Sequence, residues 1–294
     1  MRFSGTYTAL ITPFRDGAID TSAFQALIER QIAGGVDGIV PVGTTGESPT
    51  LNMEEHIEVI RLAVEYAAGR CEVVAGTGSN ATAEAIELTE AAEKLGATGS
   101  LQVCPYYNKP SQEGLYQHFK AIAEATSLPI MLYSVPGRSV IEISPETTAR
   151  LAADFPNIAA IKEAGGSVDR VNQLVQVLPG DFGVLCGDDP LTLPFISCGA
   201  TGLVSVASNL IPDVIARLVR ACLNGSFDEA LELQKQYYPL MRGLMSLDVN
   251  PVPIKTAVSL QGHCTAEFRL PLVPMTDNQV ARLSALMESY NLLS

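Results

Sequence analysis

The stretch Ile158-Ala159-Ala160-Ile161-Lys162-Glu163 decides how this chain is read. Four apolar residues run without a break, meet a lysine, and are followed by Gly165-Gly166. An uninterrupted apolar run of this length, closed by glycines, reads as a strand buried on both faces. Lys162 then stands at the carboxyl end of a buried strand. Free lysine has a pKa near 10.4, so about one amine in 2,000 is uncharged at neutral pH. Burial disfavours the ammonium form and lowers that value. A neutral amine at the mouth of a sheet can attack a ketone and form a Schiff base. The competing reading is a lysine whose stem lies along the strand while its head reaches water. The stretch alone leaves both open.

Outward from this strand, apolar runs alternate with amphipathic stretches. Tyr7 to Ile11, Gly38 to Val42, Cys71 to Ala75, Leu101 to Cys104 and Pro129 to Tyr133 are expected as strands before it. Gly183 to Cys186 and Gly202 to Val206 are expected after it. Helices are expected over Ala23 to Ala33, Glu54 to Ala68, Ala83 to Leu95, Glu113 to Thr126, Pro145 to Asp154, Val168 to Leu178, Pro190 to Cys198 and Pro212 to Leu223. Eight strand–helix units in strict alternation predict an α/β fold with a parallel sheet, closed as a (β/α)₈ TIM barrel. An open doubly wound sheet is the rival, but its nucleotide fingerprint is missing. The barrel is expected over residues 1–224. A C-terminal helical extension over 225–294, broken at Pro251-Val252-Pro253 and Pro271, is expected to pack on it.

Composition narrows the partners. With 294 residues, 47% of them hydrophobic, the chain can bury a sizeable core. A formal charge of −13 disfavours nucleic acid or an anionic membrane as partner. An anionic substrate needs a local cationic pocket against that field. The start, Met1 to Tyr7, lacks the regions of a signal peptide, and no apolar segment reaches bilayer length. A cytoplasmic protein is expected. Cys71, Cys104, Cys186, Cys198, Cys222 and Cys264 form no CxxC pair and read as reduced core residues. His56, His118 and His263 show no HExxH spacing, and no P-loop is present. Neither a metal nor a nucleotide cofactor is indicated.

In a barrel, chemistry sits on the loops that follow the strands. After the second strand comes Gly43-Thr44-Thr45-Gly46-Glu47-Ser48, whose backbone N–H groups and hydroxyls can hold a carboxylate. An ordinary turn with Ser48 as N-cap is the plain alternative. Pro105-Tyr106-Tyr107-Asn108 follows the fourth strand, and Tyr133 ends the fifth with Arg138 five residues on. Tyrosine hydroxyls can relay protons, and an arginine can clamp a carboxylate; packing and solvation are the plain alternatives. Gly187-Asp188-Asp189-Pro190 follows the seventh strand, where glycine permits close approach to a ligand and Asp189-Pro190 can start a helix. Lys255, the rival amine, is expected in the helical tail, off the barrel mouth.

Taken together these residues resemble the dihydrodipicolinate synthase family of the pyruvate-dependent class I aldolases. The likeness covers nearly the whole chain. It rests on the Gly43 to Ser48 turn, Tyr106-Tyr107-Asn108-Lys109-Pro110-Ser111-Gln112-Glu113-Gly114, Ile161-Lys162-Glu163-Ala164, Gly187-Asp188-Asp189 and Asn250-Pro251-Val252-Pro253-Ile254-Lys255. The resemblance implies that Lys162 forms a Schiff base with pyruvate. It implies that Tyr133 transfers protons, with Thr45 and Tyr107 completing a hydroxyl relay in which Tyr107 reaches a partner subunit's site. Arg138 would hold the carboxylate of the second substrate, L-aspartate 4-semialdehyde, and Thr44, Thr45, Gly187 and Val204 would line the pyruvate end. The implied reaction condenses the two and cyclises the product, on the route to lysine, in a homotetramer or a dimer.

A lysine-binding regulatory site made from Ser48, His56, Asn80, Glu84 and Tyr106 is also implied, with Met53 where related enzymes often carry histidine. After the fifth strand the chain reads Ser134-Val135-Pro136-Gly137-Arg138-Ser139-Val140, where the family usually reads Asn-Val-Pro-x-Arg-Thr-Gly. Arg138 is kept, while Val140 would be strained at a backbone needing positive φ. Competing functions are another pyruvate-dependent aldolase, such as N-acetylneuraminate lyase or a 2-keto-3-deoxy-sugar acid aldolase, and an inactive barrel that binds a keto acid. Arg138 and the tyrosine pair favour the synthase.

Overall fold

The computed structural model describes residues 3–293. Eight parallel strands close into a barrel. They are β1 (Gly5–Ala9), β2 (Gly38–Val40), β3 (Glu72–Gly76), β4 (Gly99–Val103), β5 (Ile130–Ser134), β6 (Ile158–Glu163), β7 (Gly183–Cys186) and β8 (Gly202–Ser205). Each strand pairs with the next, and β1 closes the circle on β8 through Gly5 opposite Gly202 and Tyr7 opposite Val204. Around them run α1 (Thr21–Ala33), α2 (Met53–Ala67), α3 (Thr82–Leu95), α4 (Gln112–Glu124), α5 (Pro145–Asp154), α6 (Val168–Val177), α7 (Thr192–Ser197) and α8 (Pro212–Leu223).

Short polar side chains start five of these helices. Asp20, Ser111, Ser144 and Ser167 accept backbone N–H bonds in the first turns of α1, α4, α5 and α6. Asn52 and Glu55 form a reciprocal capping box at α2. Strand alternation then sorts the core into two layers. Tyr7, Val40, Val74, Leu101, Met131, Tyr133, Ala160, Leu185 and Val204 fill the lumen. Ile39, Val73, Leu132, Ile161, Val184 and Leu203 face outward into the packing against the helices. Lys162 lies two residues beyond Ala160 and so points to the lumen, while Glu163 faces the helices.

Boundaries differ from expectation by a residue or two because apolar runs report burial whereas strands report pairing. β6 extends through Lys162 and Glu163 because they pair with Tyr133 and Ser134. Leu10 and Ile11 are buried but lie outside β1. A small antiparallel ladder, Phe14–Arg15 with Ala18–Ile19, was not anticipated. It turns at Asp16-Gly17, both at positive φ, which suits that dipeptide. The seventh helical unit is a 3₁₀ turn, Asp189–Leu191, followed by α7.

Three further helices follow: α9 (Phe227–Ser246), α10 (Val252–Leu260) and α11 (Asp277–Glu288). The prolines at 251 and 253 open α10, where a missing N–H costs nothing. Pro239 sits inside α9 without ending it. Leu240, Met241, Val252, Ile254 and Val258 join the same buried cluster as the barrel helices. Among the described residues, no helix is long and apolar enough to cross a membrane.

Candidate active site

Lys162 and Tyr133 are opposite one another on neighbouring strands. Each is 6% exposed, and Lys162 Nζ lies 4.2 Å from the centroid of the Tyr133 ring. Gly187 makes room for the lysine stem. A Cβ there would stand 3.1 Å from Lys162 Cε and 2.6 Å from Ala164 Cβ, so a larger residue would push the stem aside. Val204 is fully buried in the lumen. Asp189, expected only as a helix start, is buried. It accepts from Ser205 Oγ and from the N–H groups of Val206 and Ala207 at 2.9 and 3.1 Å. It thereby ties the loop after β7 to the end of β8.

The Gly43 to Ser48 turn is tightly constrained. Val42 and Glu47 hold positive φ, and a Cβ on Gly46 would come within 2.9 Å of Val42 N. The N–H groups of Gly46, Glu47 and Ser48 bond to carbonyls inside the turn. Those of Thr44 and Thr45 have no backbone acceptor among the described residues. Two N–H groups and the Thr44 hydroxyl therefore remain for a ligand. Ser48 is not an N-cap: the capping position of the 3₁₀ turn Ser48–Thr50 is Glu47, with no side-chain cap bond.

Arg138 lies on a short helix, Pro136–Ser139, that sequence reasoning had left as loop. Its Nη2 donates to the Asn250 carbonyl at 3.1 Å. Ser139 Oγ donates to the carbonyls of Val135 and Ile141, so this departure still serves the loop. Val140 has φ 68, so a β-branched side chain occupies a left-handed position where glycine would be relaxed. Tyr107 has φ 73 and is 90% exposed, pointing out of its own chain. Among the described residues, no hydrogen bond joins the hydroxyls of Tyr133, Thr45 and Tyr107 to one another. Thr45 Oγ1 instead accepts from Asn250 Nδ2 at 3.1 Å.

A cavity of ≈ 540 Å³ runs from this mouth. Its walls include Thr44, Tyr133 and Arg138 together with Ser48, Met53, His56, Glu84 and Tyr106, but not Lys162. Asn80 is not among its walls; its amide donates to the Tyr106 carbonyl at 3.2 Å. Nor does it share the start of a helix with Glu84, since α3 begins after it at Thr82. His56 Nε2 donates to the Gly76 carbonyl at 2.8 Å, and burial pulls its pKa down, so the ring is neutral. Glu84 accepts from Ser79 Oγ at 2.7 Å.

Lys255 lies in the helical tail, as expected, and is fully buried there, 2.7 Å from the equally buried Glu47, with the Phe14 ring centroid 4.1 Å away. Desolvation pulls its pKa down and Glu47 opposes that fall. The second amine is therefore engaged with the active-site turn itself. Asn250, which sequence reasoning quoted but gave no role, touches both Thr45 and Arg138. On the helix side of β6, buried Glu163 accepts from the Gly165 N–H at 2.7 Å and lies 3.5 Å from Arg170. It fixes the loop that follows the lysine.

The family model of the dihydrodipicolinate synthetase family matches residues 2–290. A 4-hydroxy-tetrahydrodipicolinate synthase of Persephonella marina is 50% identical over 292 residues, covering 99% of each chain. The solved synthase of the methanotroph Methylacidiphilum fumariolicum superposes with a TM-score of 0.95 at 53% identity, over 99% of this chain and 100% of that one. A synthase of Cyanidioschyzon merolae, solved with lysine bound, gives 0.96 at 41% identity over 99% of each chain. With a barrel, a buried strand-end lysine and matches of this extent, the chain belongs to the dihydrodipicolinate synthetase family.

Proposed function

We infer that the barrel mouth carries out a lysine-dependent carbonyl condensation. The chain condenses pyruvate with L-aspartate 4-semialdehyde to give 4-hydroxy-tetrahydrodipicolinate, a lyase-class step of lysine and diaminopimelate biosynthesis. The observation that carries the assignment of roles is Lys162 at a buried strand end, beside Tyr133 and against Gly187. The uncharged amine adds to the pyruvate ketone and water leaves, giving the Schiff base. Loss of a methyl proton turns this into an enamine, whose carbon attacks the aldehyde. Tyr133, with Thr45 and Tyr107, moves the protons.

Both substrates carry carboxylates while the chain carries −13. The free N–H groups of Thr44 and Thr45 and the Thr44 hydroxyl suit the pyruvate carboxylate, with Gly187 and Val204 shaping that end. Arg138, exposed at the rim, suits the carboxylate of the aldehyde. Tyr107 finds nothing to serve in its own chain, which supports an assembly in which it enters the mouth of a second copy, as a dimer or a dimer of dimers. The cavity wall that includes Ser48, His56, Glu84 and Tyr106 suits free L-lysine as inhibitor, and the lysine-bound relative supports that choice. Six unpaired cysteines support a reducing, cytoplasmic setting.

The test is an assay with pyruvate and L-aspartate 4-semialdehyde beside one with N-acetylneuraminate. Turnover of the first pair and none of the second is expected. Cleavage of the sugar acid alone would replace this reading with that of a sugar-acid aldolase.

A further inference from the structure

The one hydrogen-bonding partner of Thr45 Oγ1 among the described residues comes from the C-terminal segment. Asn250, between α9 and α10, donates its Nδ2 to Thr45 Oγ1 at 3.1 Å. The backbone carbonyl of the same residue accepts from Arg138 Nη2 at 3.1 Å. Asn250 is 7% exposed, and its Oδ1 has no hydrogen-bond partner among the described residues. We propose that Asn250 is a positioning residue that fixes the polarity of the Thr45 hydroxyl and so the direction in which that threonine passes a proton. This rests on the reading above, in which Thr45 links Tyr133 to Tyr107.

A hydroxyl has one proton and two lone pairs. The Asn250 N–H occupies one lone pair. The threonine proton is then left to point at a second acceptor, and one lone pair is left to receive a proton. A relay member needs both free at once: it accepts from one phenol and donates to the other. A carboxylate in place of the amide would do the reverse. It has no proton to give, so it would take the threonine's own proton and stop the relay. A methyl group would leave the hydroxyl without a fixed orientation.

The position is held firmly enough for this role. Glu47, two residues beyond Thr45, is locked to Lys255 of α10 at 2.7 Å with both side chains fully buried. The turn is therefore joined to the C-terminal part of the chain at two points, Asn250 just before α10 and Lys255 within it. The hold on Arg138 runs through the backbone carbonyl, so it survives a change of the Asn250 side chain. Substitution there isolates the link to Thr45.

The test is a double-mutant cycle. Steady-state constants are measured for the wild type, Asn250→Ala, Asn250→Asp, Thr45→Val and the Asn250→Ala, Thr45→Val pair. Asn250→Ala is expected to lower kcat about tenfold, with the pyruvate KM within about twofold, and Asn250→Asp to lower kcat further. In the Thr45→Val background, Asn250→Ala should cost less than about twofold, because residues acting as one unit are not additive. Losses that multiply would mean that Asn250 acts independently of Thr45, as a purely structural residue would, and would overturn the proposal. Wild-type kcat in Asn250→Asp would overturn it too, and this near-isosteric variant carries the test if the alanine variant does not fold. A wild type inactive on these substrates would instead remove the functional reading itself.

Discussion

Tyr133 presents its ring to Lys162 Nζ at 4.2 Å, across a strand register in which the two residues are direct partners. The ring face and the hydroxyl do different things. The face can attract an ammonium electrostatically, whereas only the hydroxyl can carry a proton. Tyr133→Phe keeps the first and deletes the second. It should lower kcat by about 10²–10⁴-fold with the fold intact, the usual worth of a general acid–base group. A change below roughly threefold, with unaltered circular dichroism, would make Tyr133 a packing residue.

Two buried lysines compete for the carbonyl. Lys255 is paired with Glu47 and sealed at 0% exposure, whereas Lys162 is 6% exposed and lies against the Tyr133 ring. Reduction with borohydride in the presence of pyruvate should leave a pyruvyl adduct on Lys162, located by peptide mapping. An adduct on Lys255, or none, would sink the assignment.

The sequence was most legible where burial and pattern coincide. Eight apolar runs became eight strands, and the lysine ending the sixth fell at the mouth because strand alternation put it there. The long-range polar contacts were not legible. Asn250 meets Thr45 across 205 residues, and Lys255 meets Glu47 across 208. No local period reports such pairs, so the contact of the tail lysine with the turn could not be read. Val140 was legible in a different way: the resemblance implied a strained position there, and its φ is 68.

The role proposed for Arg138 separates the two substrates. Among the described residues its guanidinium bonds only to the Asn250 carbonyl, and it stays exposed at the cavity rim. Arg138→Ala should raise the KM of aspartate semialdehyde more than that of pyruvate. The loss of a charge-assisted bond to the carboxylate is worth about 1.5–3 kcal/mol, roughly 10- to 150-fold. A larger rise for pyruvate would assign the arginine to the other end.

Acid should destabilise the fold through His118. This ring is 6% exposed, its Nδ1 lies 2.9 Å from Thr82 Oγ1, and burial pushes its pKa down to about 4. As pH falls below about 6.5, the unfolded chain takes up a proton that the folded ring refuses. Stability therefore drops between about 6.5 and 4 and levels off below, once both states are protonated, for a total on the order of 3 kcal/mol. His118→Gln should flatten this limb of a denaturant-midpoint profile. His56 contributes with the same sign and should leave a residual slope. An unchanged acid limb in the variant would place the sensitivity elsewhere.

The proposed feedback by L-lysine is tested at Glu84, Ser48 and Tyr106, which line one cavity. Glu84 can pair with an ammonium group, and hydroxyls can bind a carboxylate. His56 is a weaker candidate than the sequence implied, because its Nε2 is held by the Gly76 carbonyl. Asn80 acts indirectly: its amide fixes the Tyr106 carbonyl, and its own carbonyl accepts from Asn108 at 2.8 Å. Met53 adds an apolar wall where a polar partner would tighten binding. A ligand with fewer polar partners binds less tightly, so inhibition should be partial. It should reach the active site through Tyr106, whose chain neighbour is Tyr107, and by reciprocity pyruvate should alter lysine affinity by the same factor. Titrating L-lysine into the two-substrate assay, with calorimetry on the wild type and Glu84→Ala, checks this. Partial inhibition in the wild type, a binding heat, and the loss of both in Glu84→Ala are expected. Full activity and no heat at millimolar lysine would remove the regulatory site, whereas inhibition unchanged in Glu84→Ala would move it away from this cavity wall.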